Sequence, residues 1–389
     1  MTPGARAAAA IGVLDRVLAG EPAEKALTNW GRASRFAGSG DRAAVRDLVF
    51  DALRCKRSFA ALGGGMTGRG LVLGGARVAG LESAIFTGEG HAPSVVTTAD
   101  AGRDPVGAEA LDVPDWLLPE VEASLGADTA PVLRAMQHRA PVFLRVNLGK
   151  TSRDGAVAAL ADEGIVAVPH PLATTALEVT GNPRKVQVSQ AYLSGLVELQ
   201  DASSQAVVEA LPLADGMRVL DLCAGGGGKT LAMAARARLT LFAHDIAPRR
   251  MADLPGRAQR AGVTVTLLEQ PEAKAPYDLV LVDAPCSGSG SWRRDPEGKW
   301  ALTAGRLTEL RGIQAQVLAR GAAMVGPGGT LAYATCSLLD CENSDAVTAF
   351  IGGCPDWGLG KTLRLTPETG GDGFYLALLT RDGCVLRQP

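Results

Sequence analysis

The sequence predicts an α/β protein whose C-terminal half is a doubly wound parallel sheet, preceded by a small α/β module and an all-helical N-terminal domain. Three observations support this prediction. Strand-like runs alternate with helix-like stretches after residue 199, a shorter β-α-β rhythm precedes them, and helical periodicity dominates the first 110 residues. We therefore expect domains at 1–110, 111–198 and 199–389, near the usual size of about 100–200 residues each.

Composition excludes several classes of protein. The formal net charge is −2, 47% of the residues are hydrophobic, and no apolar run approaches the roughly 20 residues of a membrane span. The Ala-rich start is interrupted by Asp15, Arg16 and Glu21, so we expect a helix rather than a cleaved signal peptide. Seven cysteines without a C-x-x-C pair suit a reducing cytoplasm. We expect a cytoplasmic, monomeric protein that has neither a membrane nor a metal as a partner.

The N-terminal domain is predicted to be basic and helical. Its first seventy residues hold eleven Lys and Arg against six Asp and Glu, a local excess of 11 − 6 = 5 positive charges. Residues 39–57 predict a helix with one apolar stripe, formed by Val45, Leu48, Val49, Ala52 and Leu53. Four arginines lie outside this stripe: Arg42, Arg46, Arg54 and Arg57. We expect some of them to form a solvated basic face that meets phosphate, and the alternative is an ordinary charged surface.

The remaining elements follow from short stretches. "PVFLRVN", "TSRDGAVAALADEGI" and "LEVTG" predict the β-α-β rhythm of the middle module. "RVLDLC", "LTLFAHD", "VTVTLLE", "YDLVLVDAP" and "GTLAYATCS" predict the strands of the large sheet. At the C-terminus, two apolar runs around Asp382-Gly383 predict a closing hairpin with a type I′ turn.

The stretch "DLCAGGGGKT" predicts a nucleotide site. Four glycines between a buried strand and a helix let backbone amides approach a ligand. A phosphate loop would need Gly where Cys223 stands, and NAD binding would need G-x-G-x-x-G in order. Asp245, twenty residues beyond Gly225, is placed to accept ribose hydroxyls. S-adenosylmethionine, an adenosine ligand with an activated methyl group, accounts for more of the sequence than NAD or ATP does.

Two cysteines follow predicted strand ends, Cys286 in "DAPCSGSG" and Cys336 in "YATCSLL". Addition of a thiolate to carbon 6 of a cytosine makes carbon 5 nucleophilic, so that it can attack a methyl donor. A base must then remove the carbon-5 proton, and a second thiol can assist release. Asp283 can hydrogen-bond ring nitrogen 3 and stabilise the developing charge. The carboxyl ends of strands are where open α/β sheets bind ligands.

These stretches resemble a known family. "DLCAGGGGKT", "VDAPCSGSGSWRRDPEGKW" and "ATCSLLDCEN" are similar to motifs of the RsmB/Sun family of RNA cytosine-5 methyltransferases, whose catalytic domain is Rossmann-like. The resemblance covers residues 199–379, and the basic helical front resembles a NusB-like RNA-binding domain, with the middle module expected to be RRM-like. The family commonly has Ala-Pro at Gly225-Gly226 and an Asp where this chain offers only Glu269 or Gln270 for the adenine.

The resemblance implies roles for individual residues. Cys336 is the nucleophile, Cys286 assists release, and the Thr-Cys nucleophile points to RNA rather than DNA. The implied cofactor residues are Cys223, Ala224, Gly225, Gly226, Gly227, Gly228, Lys229, Asp245, Arg250, Glu269 and Asp283. Arg293, Arg294 and Lys299 are implied as contacts to phosphate or substrate.

We therefore expect an S-adenosylmethionine-dependent RNA cytosine-5 methyltransferase acting on small-subunit ribosomal RNA. Transfer RNA and large-subunit ribosomal RNA are the alternative substrates. An NAD- or ATP-using enzyme is a different reading of the glycine loop. A non-catalytic RNA-binding or ribosome assembly factor is the alternative of another class, and it would require loss of the nucleophile, whereas Cys336 is present.

Overall fold

The computed structural model describes residues 1–381. The helices are α1 (Pro3–Leu18), α2 (Ala23–Ala33), α3 (Ser39–Arg54), α4 (Lys56–Leu62), α5 (Gly68–Val78), α6 (Glu82–Ile85), α7 (Leu118–Leu125), α8 (Thr129–Met136), α9 (Arg153–Asp162), α10 (Gln190–Leu193), α11 (Ala202–Glu209), α12 (Gly228–Ala234), α13 (Leu254–Ala261), α14 (Pro296–Ala301), α15 (Ala304–Met324) and α16 (Ser344–Gly353). The strands are β1 (Val142–Val146), β2 (Val166–Pro169), β3 (Ala176–Gly181), β4 (Val197–Leu199), β5 (Arg218–Asp221), β6 (Thr240–Ala243), β7 (Thr266–Leu267), β8 (Tyr277–Asp283), β9 (Val325–Thr335), β10 (Trp357–Leu365) and β11 (Phe374–Arg381).

The chain divides into two compact units, and the first is discontinuous in sequence. It comprises residues 1–139 together with residues 292–301, and the second comprises residues 140–291 and 302–389. The domain boundaries predicted after residues 110 and 198 stay predictions. None of the helices within residues 1–381 has the length and apolarity needed to cross a bilayer.

The first unit is helical, and its core explains why α1, α3 and α5 pack together. Val13 and Leu14 of α1, Val45 and Val49 of α3, and Leu71 of α5 are all almost completely buried in one cluster. The apolar stripe predicted for α3 is confirmed, with Leu48 at its half-buried margin. Burial of such stripes supplies most of the stability of short helices.

Of the four arginines outside the stripe, Arg54 does not lie on a solvated face. Its side chain is buried, its Nε donates to the carbonyl of Arg293 at 2.7 Å, and its Nη1 lies 2.7 Å from Asp51 Oδ1. Arg46 and Arg57 are bound to Glu24 and Asp115. Helical periodicity showed that these arginines avoid the stripe but could not show which neighbours enclose them.

The second unit contains a small antiparallel sheet with strand order β2-β3-β1-β4. Helix α9 packs against this sheet through Ala156 and Leu160, which share a buried cluster with Leu144, Val146 and Leu177. The predicted strands β1 and β3 and the helix between them are therefore confirmed, while β2 and β4 complete the sheet.

The second unit also contains a large sheet, whose strand order within the described residues is β10-β11-β9-β8-β5-β6-β7. Strands β9, β8, β5, β6 and β7 are parallel neighbours, and β11 and β10 are added antiparallel at one edge. This is a Rossmann-like sheet. Both edges of β11 are paired, with β10 and β9. The turn predicted at Asp382-Gly383 lies outside the described residues.

Alternate residues of the parallel strands enter two different cores. Leu279 and Leu281 of β8 pack with Met233 of α12 on one face, while Val280 and Val282 pack with Leu318 of α15 on the other. A strand buried on both faces needs a continuous apolar run, which is what "LVLV" supplies. Because β9, β8, β5, β6 and β7 pair in parallel, all their carboxyl ends lie at one edge of the sheet.

Candidate active site

The predicted site residues cluster at the carboxyl edge of the large sheet, where β5 is flanked by β6 and β8. The chain order reverses on either side of β5, because β6 lies on one side and β8, after a crossover, on the other. Such a switch point leaves a crevice between the loops that follow the strands. Asp221 and Asp283 are the last residues of β5 and β8, and Cys336 directly follows β9.

The glycine loop between β5 and α12 requires residues without side chains. Gly225 and Gly227 have φ of +50° and +79°, in the left-handed region that favours glycine. A Cβ on Gly227 would lie 2.2 Å from Leu254 Cδ1, and one on Gly226 would lie 3.0 Å from Arg257 Nη1. The Gly-Gly pair at 225–226 therefore serves a tight turn packed against α13.

Asp245 lies beside this loop and is almost completely buried. Its Oδ2 accepts the Gly225 N–H at 3.0 Å and lies 3.1 Å from Arg250 Nη1, and its Oδ1 accepts the Ala247 N–H at 2.9 Å. A carboxylate has about four acceptor positions. One position therefore remains, and a second becomes available if the largely exposed Arg250 side chain moves away.

Asp221 provides a buried polar atom without a partner. Its Oδ2 accepts the Thr230 hydroxyl at 2.6 Å, whereas its Oδ1 is buried and has no hydrogen-bond partner among residues 1–381. Burial is the main cause that raises its pKa, to about 7. An orphaned acceptor beneath a glycine loop is a position where a ligand's donor group would be satisfied.

Lys229 joins the glycine loop to the end of β8. Its Nζ lies 2.8 Å from Asp283 Oδ2 and 4.8 Å from the centre of the Phe374 ring. Burial alone would lower the pKa of Lys229, but the Asp283 carboxylate outweighs it and the pKa is raised. Lys229 is therefore a buried ammonium.

The two cysteines meet at the same edge. The Sγ atoms of Cys286 and Cys336 lie 3.4 Å apart as free thiols, and the Gly290 N–H donates to the Cys336 carbonyl at 2.9 Å. The pKa of Cys336 is lowered, first by the hydrogen bond from the Cys286 thiol and also by the nearby Lys229 ammonium. The pKa of Cys286 is raised well above its usual range by the same hydrogen bond and by burial. Cys336 is thus the better thiolate.

Cys223 differs from this pair. Burial is the main cause that raises its pKa, to about 12, and the nearby carboxylates of Asp221 and Asp283 act in the same direction. A thiol that stays protonated is a poor nucleophile. The structure therefore favours Cys336 over Cys223 as the reactive cysteine at this edge.

Sequence reasoning missed Glu342, which connects the two cysteine loops. Its carboxylate is completely buried and accepts the hydroxyls of both Ser287 and Ser337, the residues that follow Cys286 and Cys336. The Ser287 N–H and Gln314 Nε2 also donate to it, at 2.8 and 2.9 Å. The repeated Cys-Ser pair was the signal that could have indicated a shared partner.

Two implied substrate contacts are wrong. Arg293 and Lys299 are 4% and 2% exposed and belong to the first unit, where Lys299 Nζ donates to the Arg54 carbonyl at 3.0 Å. Neither can meet a phosphate in bulk solvent, whereas Arg294 is exposed. Glu269 lies two residues beyond β7 and is exposed.

Two family models match the chain. The model for "16S rRNA methyltransferase RsmB/F" matches residues 208–380, and the RsmF/B-like ferredoxin-like domain matches residues 113–187. The first range includes all of the predicted site residues, from the glycine loop to Cys336. The second includes the small sheet apart from β4.

Individual relatives are similar to most of the chain. Ribosomal RNA small subunit methyltransferase B of Salmonella arizonae is 33% identical over 285 residues, and that of Salmonella agona is 34% identical over 287. In both cases the match covers 69% of this chain and 66% of the relative, so this chain spans just under two thirds of the length of these relatives.

Solved structures agree on the fold. A methyltransferase homolog protein from Pyrococcus horikoshii is 26% identical with a TM-score of 0.62, and the match covers 70% of this chain and 97% of that one. The structure of PH0851 covers 97% of this chain and 99% of its own, with a TM-score of 0.76 and 23% identity. The latter likeness extends the shared fold to almost the whole chain.

Proposed function

Because the chain belongs to the RsmB/F family of ribosomal RNA methyltransferases, we propose that it methylates carbon 5 of a cytosine in RNA, with 16S ribosomal RNA as the substrate. The observation that carries this proposal is the contact between two free thiols, 3.4 Å apart, beside the glycine loop. Covalent activation of a pyrimidine needs one thiolate to add and a second group to help the adduct collapse. The pair satisfies both needs.

The residues present fit S-adenosylmethionine, the methyl donor of this family. The side-chain-free turn at 225–227 leaves backbone amides accessible, the Asp245 carboxylate has room for a ribose hydroxyl, and Asp221 Oδ1 lacks a donor. We assign the cofactor to residues 223–229, Asp245 and Asp283. When bound, this cofactor supplies an electrophilic methyl group. Arg250 borders the ribose position, and Glu269 is the carboxylate at the end of β7 that is available to the adenine.

The chain's own residues then divide the work. The Cys336 thiolate, favoured by Lys229, adds to carbon 6 and forms a carbon–sulfur bond, which makes carbon 5 nucleophilic. Asp283 faces the base, and its ion-pair partner Lys229 supplies the positive charge that offsets the negative charge developing on the ring. After carbon 5 is methylated, a water molecule takes the carbon-5 proton and the carbon 5–carbon 6 double bond re-forms. The carbon–sulfur bond breaks at the same time, and Cys336 leaves with its electrons as a thiolate. Cys286 keeps its proton because its pKa is raised, and its hydrogen bond with Cys336 stabilises the thiolate that leaves.

Bisulfite sequencing tests this function. Total RNA from cells with the wild-type protein, with Cys336→Ala and with no protein should differ at one or a few cytosines of 16S ribosomal RNA, which resist deamination only in the wild-type sample. Protected sites in transfer RNA or 23S RNA would redirect the substrate. Identical profiles in all three samples, with RNA binding retained, would favour the non-catalytic assembly factor.

A further inference from the structure

We infer that Glu342 is a positioning residue that holds the two cysteine loops in one arrangement, so that Cys336 and Cys286 face the same substrate base. This inference deepens the proposed function and rests on it. Glu342 does not touch the thiols through any hydrogen bond of the described structure. It acts on the residues beside them.

The connection is direct and symmetric. Ser287 and Ser337 each follow a cysteine, are separated by 50 residues in the chain, and donate their hydroxyls to the same oxygen of Glu342. Ser289 strengthens the junction, because its hydroxyl lies 3.0 Å from the Ser337 hydroxyl and accepts the Leu338 N–H at 2.8 Å. The loop after β8 is thus bonded to the loop after β9 through side chains.

Burial makes this junction rigid. Glu342, Ser337 and Gln314 are 0–1% exposed, and the described residues provide four donors to the carboxylate. A buried carboxylate that loses donors is strongly destabilised, because water is not available to replace them. Separation of the two loops would remove donors from Glu342, so the loops are held together at this point.

Ser287 and Ser337 directly follow Cys286 and Cys336 in the chain, so movement of either serine moves the adjacent thiol. Covalent catalysis is sensitive to displacements of about 1 Å at the reacting atoms. Loss of one hydroxyl should therefore disturb mainly the cysteine beside it. The two serines give matched substitutions with opposite expected consequences.

The test compares Ser337→Ala, Ser287→Ala and Glu342→Gln in the full chain with 16S RNA and S-adenosylmethionine. Ser337→Ala should lower the rate of covalent adduct formation by about tenfold, as expected for a lost hydrogen bond to a charged group. Ser287→Ala should form the adduct within about twofold of the wild-type rate but accumulate at least about fivefold more denaturation-resistant protein–RNA complex. Glu342→Gln should show both defects.

Ser344→Ala is the matched control, since Ser344 is the first residue of α16 and is not among the described donors to Glu342. Two results would overturn the inference. One is an equal decrease of adduct formation and of adduct release in both serine variants, and the other is rates in both variants that equal those of Ser344→Ala. If Glu342→Gln does not fold, judged by circular dichroism, the two serine variants still decide the matter. A wild-type protein that forms no adduct at all would instead contradict the proposed function.

Discussion

The Nζ of Lys229 lies 2.8 Å from Oδ2 of Asp283, and both charges act on Cys336. The ammonium favours the thiolate and the carboxylate opposes it, while the hydrogen bond from Cys286 is the largest cause of the lowered pKa. The Lys229–Asp283 ion pair thus joins the glycine loop to the end of β8 and affects the ionisation of Cys336. The charge state of Cys336 should depend on this pair.

Lys229→Met should raise the pKa of Cys336, because removal of a nearby cation disfavours the thiolate. At pH 7 the alkylation rate of Cys336 should therefore fall, because a smaller fraction of the thiol is ionised. The rate of iodoacetamide labelling of the Cys336 peptide, followed by mass spectrometry across pH, measures this change. Lys274→Met, an exposed lysine, is the control. If the labelling titration of Lys229→Met gave an unchanged or lowered pKa for Cys336, an electrostatic role of Lys229 would be excluded.

Asp245→Ala should weaken S-adenosylmethionine binding by about 30- to 1000-fold, because a ribose hydroxyl would lose a buried charged acceptor worth roughly 2–4 kcal/mol. Titration calorimetry measures the affinity. Asp253→Ala, which removes an exposed carboxylate near the same edge, should bind as the wild type does. Equal affinities for Asp245→Ala and the wild type would remove Asp245 from the cofactor site.

The two cysteine variants should fail differently. Cys336→Ala cannot form an adduct and should be inactive. Cys286→Ala should add and methylate but stall as a covalent enzyme–RNA complex that survives denaturing electrophoresis. Both variants are incubated with cofactor and radiolabelled RNA and run on one gel. A trapped complex from Cys336→Ala alone would reverse the two roles.

Arg32 and Arg35 should contribute to RNA affinity through phosphate contacts. Both are exposed, and within residues 1–381 neither side chain has an ion-pair partner. Replacing both by Ala should reduce the slope of log affinity against log salt by about 1.4, the value for two phosphate contacts on a single strand. Replacing Arg103 and Arg238, which are paired with Glu109 and Asp215, makes the same change in charge and should leave the slope unaltered.

Lys299 should make stability depend on pH. Burial is the main cause that lowers its pKa, from 10.5 to about 8. Between these values the unfolded chain binds more protons than the folded one, so stability rises with pH. From pH 8 to pH 10 the wild type should gain about 2 kcal/mol relative to Lys299→Met, at about 1.36 kcal/mol per unit of pKa difference. Urea unfolding at both pH values measures this gain, and a constant difference between the two proteins would contradict it.

Strand-end residues could be predicted from the sequence because parallel strands bring their carboxyl ends to one edge. Asp221 and Asp283 end strand-like runs and Cys336 follows one, so their convergence could be predicted without knowledge of packing. Strand β10 was not predicted, since a register shift between Leu359 and Thr362 breaks the alternation that marks a strand.

Residues that depend on distant partners could not be predicted in this way. The burial of Lys299 results from contact with Arg54, 245 positions away, and Lys299 looks locally like any lysine of an exposed helix. Glu342 likewise acquires its four donors from three separate segments of the chain. The local sequence pattern therefore predicts which residues lie at the edge of the sheet. It does not predict which charged side chains, such as Lys299 and Glu342, are buried by residues from other segments.

The segment 292–301 has a consequence for how such chains can be recombined. Trp300 Nε1 donates to the Leu53 carbonyl, and Lys299 Nζ donates to that of Arg54. Among residues 1–381, two polar groups encoded far downstream therefore find their acceptors in the helical front. A shuffled gene that joined residues 140–389 to a different leader would leave both groups without acceptors. Since both acceptors are main-chain carbonyls at the end of α3, a front module that replaces this one must end a helix at the same place to satisfy Trp300 and Lys299.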